Sequence, residues 1–237
     1  MWQVNILTLF PEIFPGPLAL SVTGKALVSG ICSLTTHQIR DYAEDKHQTV
    51  DDAPYGGGNG MVLRADVLGL AIEKCFLPNK NPIIYLSPRG KVFNQDYARD
   101  FSTWSGINIL CGRYEGVDER IFSEYSIQEI SVGDFVLSSG DVAAIPILDA
   151  CIRLLPNVLE EGDALIEESF GNRYDYKNLL EYPHYTRPPE WKGHQVPDIL
   201  LSGHHANINR WRLEQAKLKT KLVRPELWDR CIKGEQK

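Results

Sequence analysis

An α/β fold built on a mostly parallel sheet, followed by a smaller appendage, is what three features of this 237-residue sequence predict. Short apolar runs alternate with helically spaced stretches as far as about residue 155, the pattern of strands covered by helices on both faces. Three of those runs, at residues 82–86, 107–110 and 127–132, end in turns rich in glycine and charge. The regularity stops at Pro156, beyond which the chain becomes aromatic and basic.

Taken in order, residues 4–10 are an apolar run stopped by Pro11 and read as the first buried strand. Residues 18–29 have helical spacing and end at Gly30, and residues 31–39 read as the second strand. The polar stretch 41–61 (DYAEDKHQTVDDAPYGGGNGM) has no apolar periodicity, and its glycines at 56, 57, 58 and 60 favour a shaped functional loop. It lacks the Gly-Lys-Ser/Thr of a Walker A motif and the strand-to-helix setting of a G-x-G-x-x-G turn. Helical spacing resumes at 63–76. A strand at 83–86, a helix near 95–104, a strand at 107–110, a helix near 117–125, a strand at 127–132 and a helix from about 143 to 155 follow. Residues 157–170 are acidic and contain a glycine, and read as a linker or mobile segment. Then come Tyr174, Tyr176, Tyr182, His184, Tyr185 and Trp191, and a helix at 205–221.

Composition limits the class. With 43% hydrophobic and 24% charged residues the chain has enough material for one sizeable core and a smaller appendage. No apolar run approaches the roughly 18–20 residues of a spanning helix, and the N-terminus lacks the basic start and cleavage site of a secretory signal, so a cytoplasmic location is expected. The five cysteines, Cys32, Cys75, Cys111, Cys151 and Cys231, form no C-x-x-C pair and read as reduced, buried thiols. The net charge of −6 conceals a split: residues 171–237 hold 13 of the 25 Lys and Arg and 8 of the 31 Asp and Glu, so +5 there and −11 over the rest. A basic arm for phosphate backbones and an ordinary solvated helical face both fit that asymmetry.

The three turns carry the functional signal. Glycine lets main chain approach a ligand closely, and the open ends of parallel strands leave N–H and C=O groups for recognition. Three such strand ends suggest one pocket built from three loops.

Seven stretches then agree with one family in order: TVDDAPYGGGNGM (49–61), YLSPRG (85–90), CGRYEGVDER (111–120), SVGDFVLSSGD (131–141), EESF (167–170), YPHYTRP (182–188) and LLSGHHANINRWR (200–212). On these residues the chain resembles the bacterial tRNA (guanine-N1-)-methyltransferases of the knotted SPOUT class. The resemblance implies a S-adenosylmethionine-binding domain with a deep trefoil knot at 1–159, a flexible linker at 160–170 and a helical tRNA-binding domain at 171–237. It implies methyl transfer to N1 of guanosine 37 in tRNA, giving 1-methylguanosine and S-adenosylhomocysteine, by a homodimer whose active site is shared between subunits. The knot comes from the resemblance alone, since ordinary α/β chains are unknotted.

By the same resemblance the cofactor-binding residues are Tyr85, Leu86, Ser87 and Pro88 in the first turn, Gly112, Arg113 and Glu115 in the second, and Val132, Gly133, Asp134, Phe135, Val136, Leu137 and Gly140 in the third. Adenine needs an apolar slot with backbone hydrogen bonds, which Tyr85, Leu86, Pro88, Val132 and Leu137 can line. Guanine N1 is protonated at neutral pH, so the chemistry requires a base near N1 and a positive charge near O6. Motif position assigns these catalytic roles to Glu168 and Arg153. The family's usual residue at the Glu168 position is aspartate, and Glu167 is the alternative base. The family also often has two glycines where this chain has Ser139-Gly140, and a proline near Ala143. Asp51, Gly57 and Gly58 belong to the loop expected to receive a flipped-out guanine, and Arg210, Arg212, Lys217 and Lys219 are expected to contact phosphates. The six histidines suggest no protein-built metal site. The family's association with magnesium makes Mg²⁺ a candidate cofactor that leaves little trace in sequence. Two alternatives stay open: a related knotted enzyme acting on another RNA or base, and a non-catalytic RNA-binding protein that lost activity through the Asp-to-Glu change.

Overall fold

A computed structural model describes residues 1–159, 167–171 and 176–235, the last three without their side chains. The chain divides into two compact units, Met1–Glu160 and Glu161–Lys237. The expected linker at 160–170 falls largely outside the described residues, as does Tyr174.

The first unit is a five-stranded, all-parallel sheet in the order β2-β1-β6-β5-β7, from β1 (Trp2–Thr8), β2 (Cys32–Gln38), β5 (Ile83–Val92), β6 (Gly106–Leu110) and β7 (Ile127–Ser131). Parallel strands must return through crossovers, which helices α1 (Ser21–Val28), α2 (Ala65–Cys75), α3 (Gln95–Thr103) and α4 (Arg120–Glu124) occupy, and α5 (Gly140–Ile152) follows the last strand. Apolar residues point both ways from each central strand. Ile6, Ile84, Ile107 and Ile109 join the core under α1, α3 and α5, while Leu7, Ile83, Tyr85 and Leu110 join the one under α2 and α4. Burial on both faces is why these strands read as continuous apolar runs.

Four local differences from the expected elements matter for the site. The strand at 83–86 does not stop at Leu86. It resumes at Lys91, and both Leu86 and Lys91 face Ile130 of β7, so Ser87–Gly90 is an excursion within β5 rather than a terminal turn. Pro88 cannot donate to the ladder, which explains why the chain leaves it there. The loop 41–61 contains β3 (Asp51–Asp52), which pairs antiparallel with β4 (Val62–Leu63). The helix expected near 117–125 is only the short α4, because Val117 is bridged to Leu63 and Asp118 N–H donates to Leu63 O. Helix α5 begins at Gly140, three residues earlier than its apolar spacing indicates.

In the second unit a hairpin of β8 (Glu190–Trp191) and β9 (His194–Gln195) precedes α6 (Asp198–Leu201), α7 (His205–Val223) and α8 (Pro225–Glu235). Its core is small: Tyr176, Leu179, Tyr182 and Ala216, with Leu213, Trp228 and Cys231 packed against them. Buried Thr220 ties α7 to the preceding chain by accepting from Leu180 N–H at 2.8 Å and donating to Ala216 O at 2.7 Å. Among the described residues no helix is long and apolar enough to cross a membrane.

Candidate active site

The three segments at 85–89, 112–117 and 130–143 line one cavity of about 370 Å³ at the C-terminal edge of the sheet. That edge is where open α/β sheets bind ligands, and the volume falls in the roughly 300–1,000 Å³ range of small-molecule sites. Of the residues expected there from sequence, Tyr85, Leu86, Ser87, Pro88, Gly112, Arg113, Glu115, Val132, Gly133, Phe135, Val136, Leu137 and Gly140 line the cavity, and Asp134 does not. The wall also includes Arg89, Tyr114, Gly116, Val117, Ile130, Ser131, Ser138, Ser139 and Ala143. These were missed because only part of each turn was assigned to the site. Their placement inside the same three turns was the available signal.

Close approach of main chain builds the walls. A Cβ on Gly112 would lie 2.6 Å from the Tyr85 hydroxyl, so only glycine lets the second turn rest against that ring. Gly140 N–H donates to Gly112 O at 2.9 Å, and a Cβ on Gly140 would meet Gly112 N at 2.8 Å and Cys111 Cα at 3.0 Å. The second and third walls therefore touch backbone to backbone. Tyr85 is buried and packs edge-on against Phe122 at 5.3 Å, and that burial pushes its phenol up to about 12, so it stays neutral. Arg89 crosses the first turn to pair with Glu119 at 3.1 Å and Glu129 at 3.2 Å, 5.5 Å from the centre of the Phe122 ring.

Arg113 is not a free cation at the wall. Its Nε and Nη2 both reach Asp141 Oδ2 at 3.1 Å, and its guanidinium lies 4.2 Å over Phe10. Asp141 is completely buried at the start of α5 and also accepts from the Thr8 hydroxyl. Burial, and then the neighbouring Asp141 carboxylate, hold the Cys111 thiol well above its usual pKa. Ser139 sits at the N-cap of α5, yet its side chain makes no capping bond, and its buried hydroxyl has no partner among the described residues.

The loop at 51–61 is stitched to the second wall. Glu115 N–H donates to Met61 O and Leu63 N–H to Gly116 O, each at 3.0 Å. Asp51 lies in β3, while Gly57 and Gly58 have positive φ, with nothing near a Cβ at Gly57. A second concavity, lined by Asp52, Pro54, Tyr55, Arg64, Asp118 and Arg120 among others, opens beside that loop.

The remaining candidates lie apart. Arg153 is the C-cap of α5, thirteen residues from Gly140, about 20 Å along the helix at 1.5 Å per residue. One chain therefore does not bring it to its own cavity. Glu168 belongs to the second unit, where its carbonyl accepts from Gly171 N–H at 2.8 Å. Glu167 is engaged within that unit: its carboxylate accepts from the Tyr182 hydroxyl at 3.3 Å and lies 3.6 Å from Arg212. Arg212 is thus occupied by Glu167 and the Tyr182 ring rather than standing clear for phosphates, as the sequence led one to expect. Nor do the four expected cations share a face. Helical spacing sets Arg210 and Lys217 on one flank of the inward stripe Leu213, Ala216 and Thr220, and Arg212 and Lys219 on the other. Among the described residues no group of three His, Cys, Asp or Glu side chains is placed to hold a metal ion.

Comparison with known proteins agrees along the whole chain. The profile of the family described as tRNA (Guanine-1)-methyltransferase TrmD matches residues 2–230. A curated tRNA (guanine-N(1)-)-methyltransferase of Ehrlichia canis is 51% identical over 234 residues, covering 98% of this chain and 97% of its own. The proteins of that name from Novosphingobium aromaticivorans and Brucella ovis are 52% and 48% identical, covering 98% and 100% of this chain and 92% and 95% of theirs.

Proposed function

The chain belongs to the tRNA (guanine-1)-methyltransferase family, and from that premise we propose that it transfers a methyl group from S-adenosylmethionine to N1 of guanosine 37 in tRNA. The products are 1-methylguanosine and S-adenosylhomocysteine. The observation that carries this is the convergence of three segments, at 85–89, 112–117 and 130–143, on one cavity. The cavity suits an adenosine-bearing donor: Leu86, Pro88, Val132 and Leu137 give it apolar walls, and the main chain at Gly112 and Gly140 stands uncovered by side chains.

The chain's own groups supply the acid–base chemistry. Glu168 takes the proton from guanine N1, freeing the lone pair that attacks the methyl carbon. Arg153 stabilises the negative charge that this proton transfer leaves on O6, and S-adenosylmethionine held by the three cavity segments would supply the methyl group. Glu168 is preferred to Glu167 because motif position assigns the base to it.

Arg153 lies a helix length from the cavity of its own chain, which supports a homodimer with a shared site. So does an apolar concavity of about 640 Å³ beside the cavity, lined by Ile13, Pro17, Phe93, Phe135, Val142 and Ile145 together with Val132, Leu137 and Pro146. A face of this kind is what a second copy would cover. The trefoil knot belongs to this reading, with the chain at 133–140 threaded beside the second turn. Residues 1–159 form the catalytic domain, 160–170 the linker, and 171–237 the tRNA-binding domain. The loop at 51–61 receives the flipped guanine, and Arg210, Lys217 and Lys219 meet phosphates. Mg²⁺ in this scheme is carried by RNA phosphates and water, the ligands it prefers. The enzyme works in the cytoplasm.

The test is transfer of a radiolabelled methyl group to a tRNA transcript with guanosines at positions 36 and 37, followed by nucleoside mapping. Label in 1-methylguanosine at position 37 is expected. Label at another base, or none from a protein that binds S-adenosylhomocysteine, overturns the proposal.

A further inference from the structure

We infer that Asp141 is a positioning residue for the methyl donor: its buried carboxylate joins the end of β1, the second turn and the first turn of α5 into a clamp that fixes two walls of the cavity. This rests on the proposed function, since that supplies the ligand.

The clamp is a closed ring of contacts. Phe10 N–H donates to the Thr8 hydroxyl at 2.9 Å, and that hydroxyl donates to Asp141 Oδ1. Asp141 Oδ2 receives Arg113 Nε and Nη2, each at 3.1 Å, and the Arg113 guanidinium returns over the Phe10 ring. Both carboxylate oxygens are therefore used, and none of the carboxylate is exposed. Asp141 also lies in the first turn of a thirteen-residue helix, where the N-terminal dipole favours a negative charge.

Burying a carboxylate is costly unless it is paired and hydrogen-bonded, and a core of apolar residues would hold β1 and α5 together without it. What an apolar pair would not do is fix the orientation of a cation at the cavity wall. Arg113 lines the cavity with a side chain that is 22% exposed. Released from Asp141, it is free to turn into the space the donor needs. The main-chain bond from Gly140 to Gly112 lies between the same two segments, so loss of the clamp also loosens that contact. The clamp thus acts on donor binding through Arg113 and the wall spacing.

Four proteins test this: wild type, Asp141→Asn, Arg113→Met and the double variant. Affinity for S-adenosylhomocysteine is measured by calorimetry, KM for each substrate and kcat by methyl transfer, and stability by thermal melting. Asp141→Asn replaces an acceptor facing Arg113 with a group of equal size, so affinity is expected to fall about tenfold or more, from the strength of a hydrogen-bonded ion pair. KM for S-adenosylmethionine should rise in parallel, while KM for tRNA stays within about twofold. The double variant should bind no worse than Asp141→Asn, because residues acting through one another are not additive. A lowered melting temperature with unchanged affinity, or additive losses in the double variant, would overturn the inference. Thr8→Val removes only the Oδ1 bond and decides the matter if Asp141→Asn does not fold: an affinity loss of about threefold or more is expected, and none contradicts it. If wild type binds S-adenosylhomocysteine but methylates no tRNA, the proposed function fails while the clamp is still tested by calorimetry.

Discussion

The cavity of the first unit and the cationic helix of the second hold their functional groups by opposite means. In residues 1–160 the walls are set by main-chain contacts, such as Gly140 N–H to Gly112 O, and by charges paired in the interior, such as Arg113 with Asp141. In residues 161–237 Arg210 and Lys219 stand exposed on α7, whose buried contacts are few. A pocket for one small molecule must be right to within a fraction of an ångström, whereas a phosphate contact works through a long side chain in water. The first unit should therefore be sensitive to single methyl groups, and the second to net charge and salt.

The largest expected effect falls on the proposed base, in the second unit. Glu168→Gln should lower kcat by about 10²- to 10⁴-fold, the usual value of a general base, while calorimetric affinity for S-adenosylhomocysteine is unchanged. Glu167→Gln should instead loosen the hold of Tyr182 and Arg212, lowering the melting temperature and leaving most of kcat. If Glu167→Gln is the inactive variant, the base has been placed one residue too late.

Next comes the sensitivity of the cavity to one methyl group. Gly140→Ala puts a Cβ 2.8 Å from Gly112 N, in backbone that cannot yield cheaply. Overpacking of this kind costs about 1–3 kcal/mol, so affinity for S-adenosylhomocysteine should fall by about tenfold or more. Normal affinity would mean that the walls are softer than their contacts indicate.

A smaller effect is expected on the helix. Lys219→Ala should weaken tRNA binding and reduce the slope of log affinity against log salt by about one, with donor affinity unchanged. A loss independent of salt would point to a packing role instead. The smallest effect is chemical. Cys111 and Cys151 are buried with thiols shifted upward by desolvation, Cys151 to about 12, so neither should react with iodoacetamide in the native protein at pH 8. Mass spectrometry of the alkylated protein checks this, and rapid labelling of Cys111 would show that the second wall opens.

Sequence made the parallel sheet legible because its strands bury both faces, so Ile83, Ile84, Ile107 and Ile109 stood out as apolar runs. The cavity was legible at its glycines for a related reason: a motif fixed by close backbone approach leaves glycine and little else. The excursion Ser87–Gly90 within β5 was not, since a strand that leaves its ladder and returns looks like one that has ended. The clamp was hidden too. Thr8, Arg113 and Asp141 are separated by 105 residues and by twenty-eight, and only the order of strands brings them together. Arg212 illustrates the limit on α7, where its spacing is that of a surface cation but Glu167 and Tyr182 take it.

The central claim is that three turns form one donor site, and amide hydrogen exchange with and without S-adenosylhomocysteine tests it most directly. Protection at 85–90, 112–117 and 131–140 together, rising with the same ligand concentration, is the result expected. Protection of only one of these segments, or of none while the ligand is bound, would contradict it.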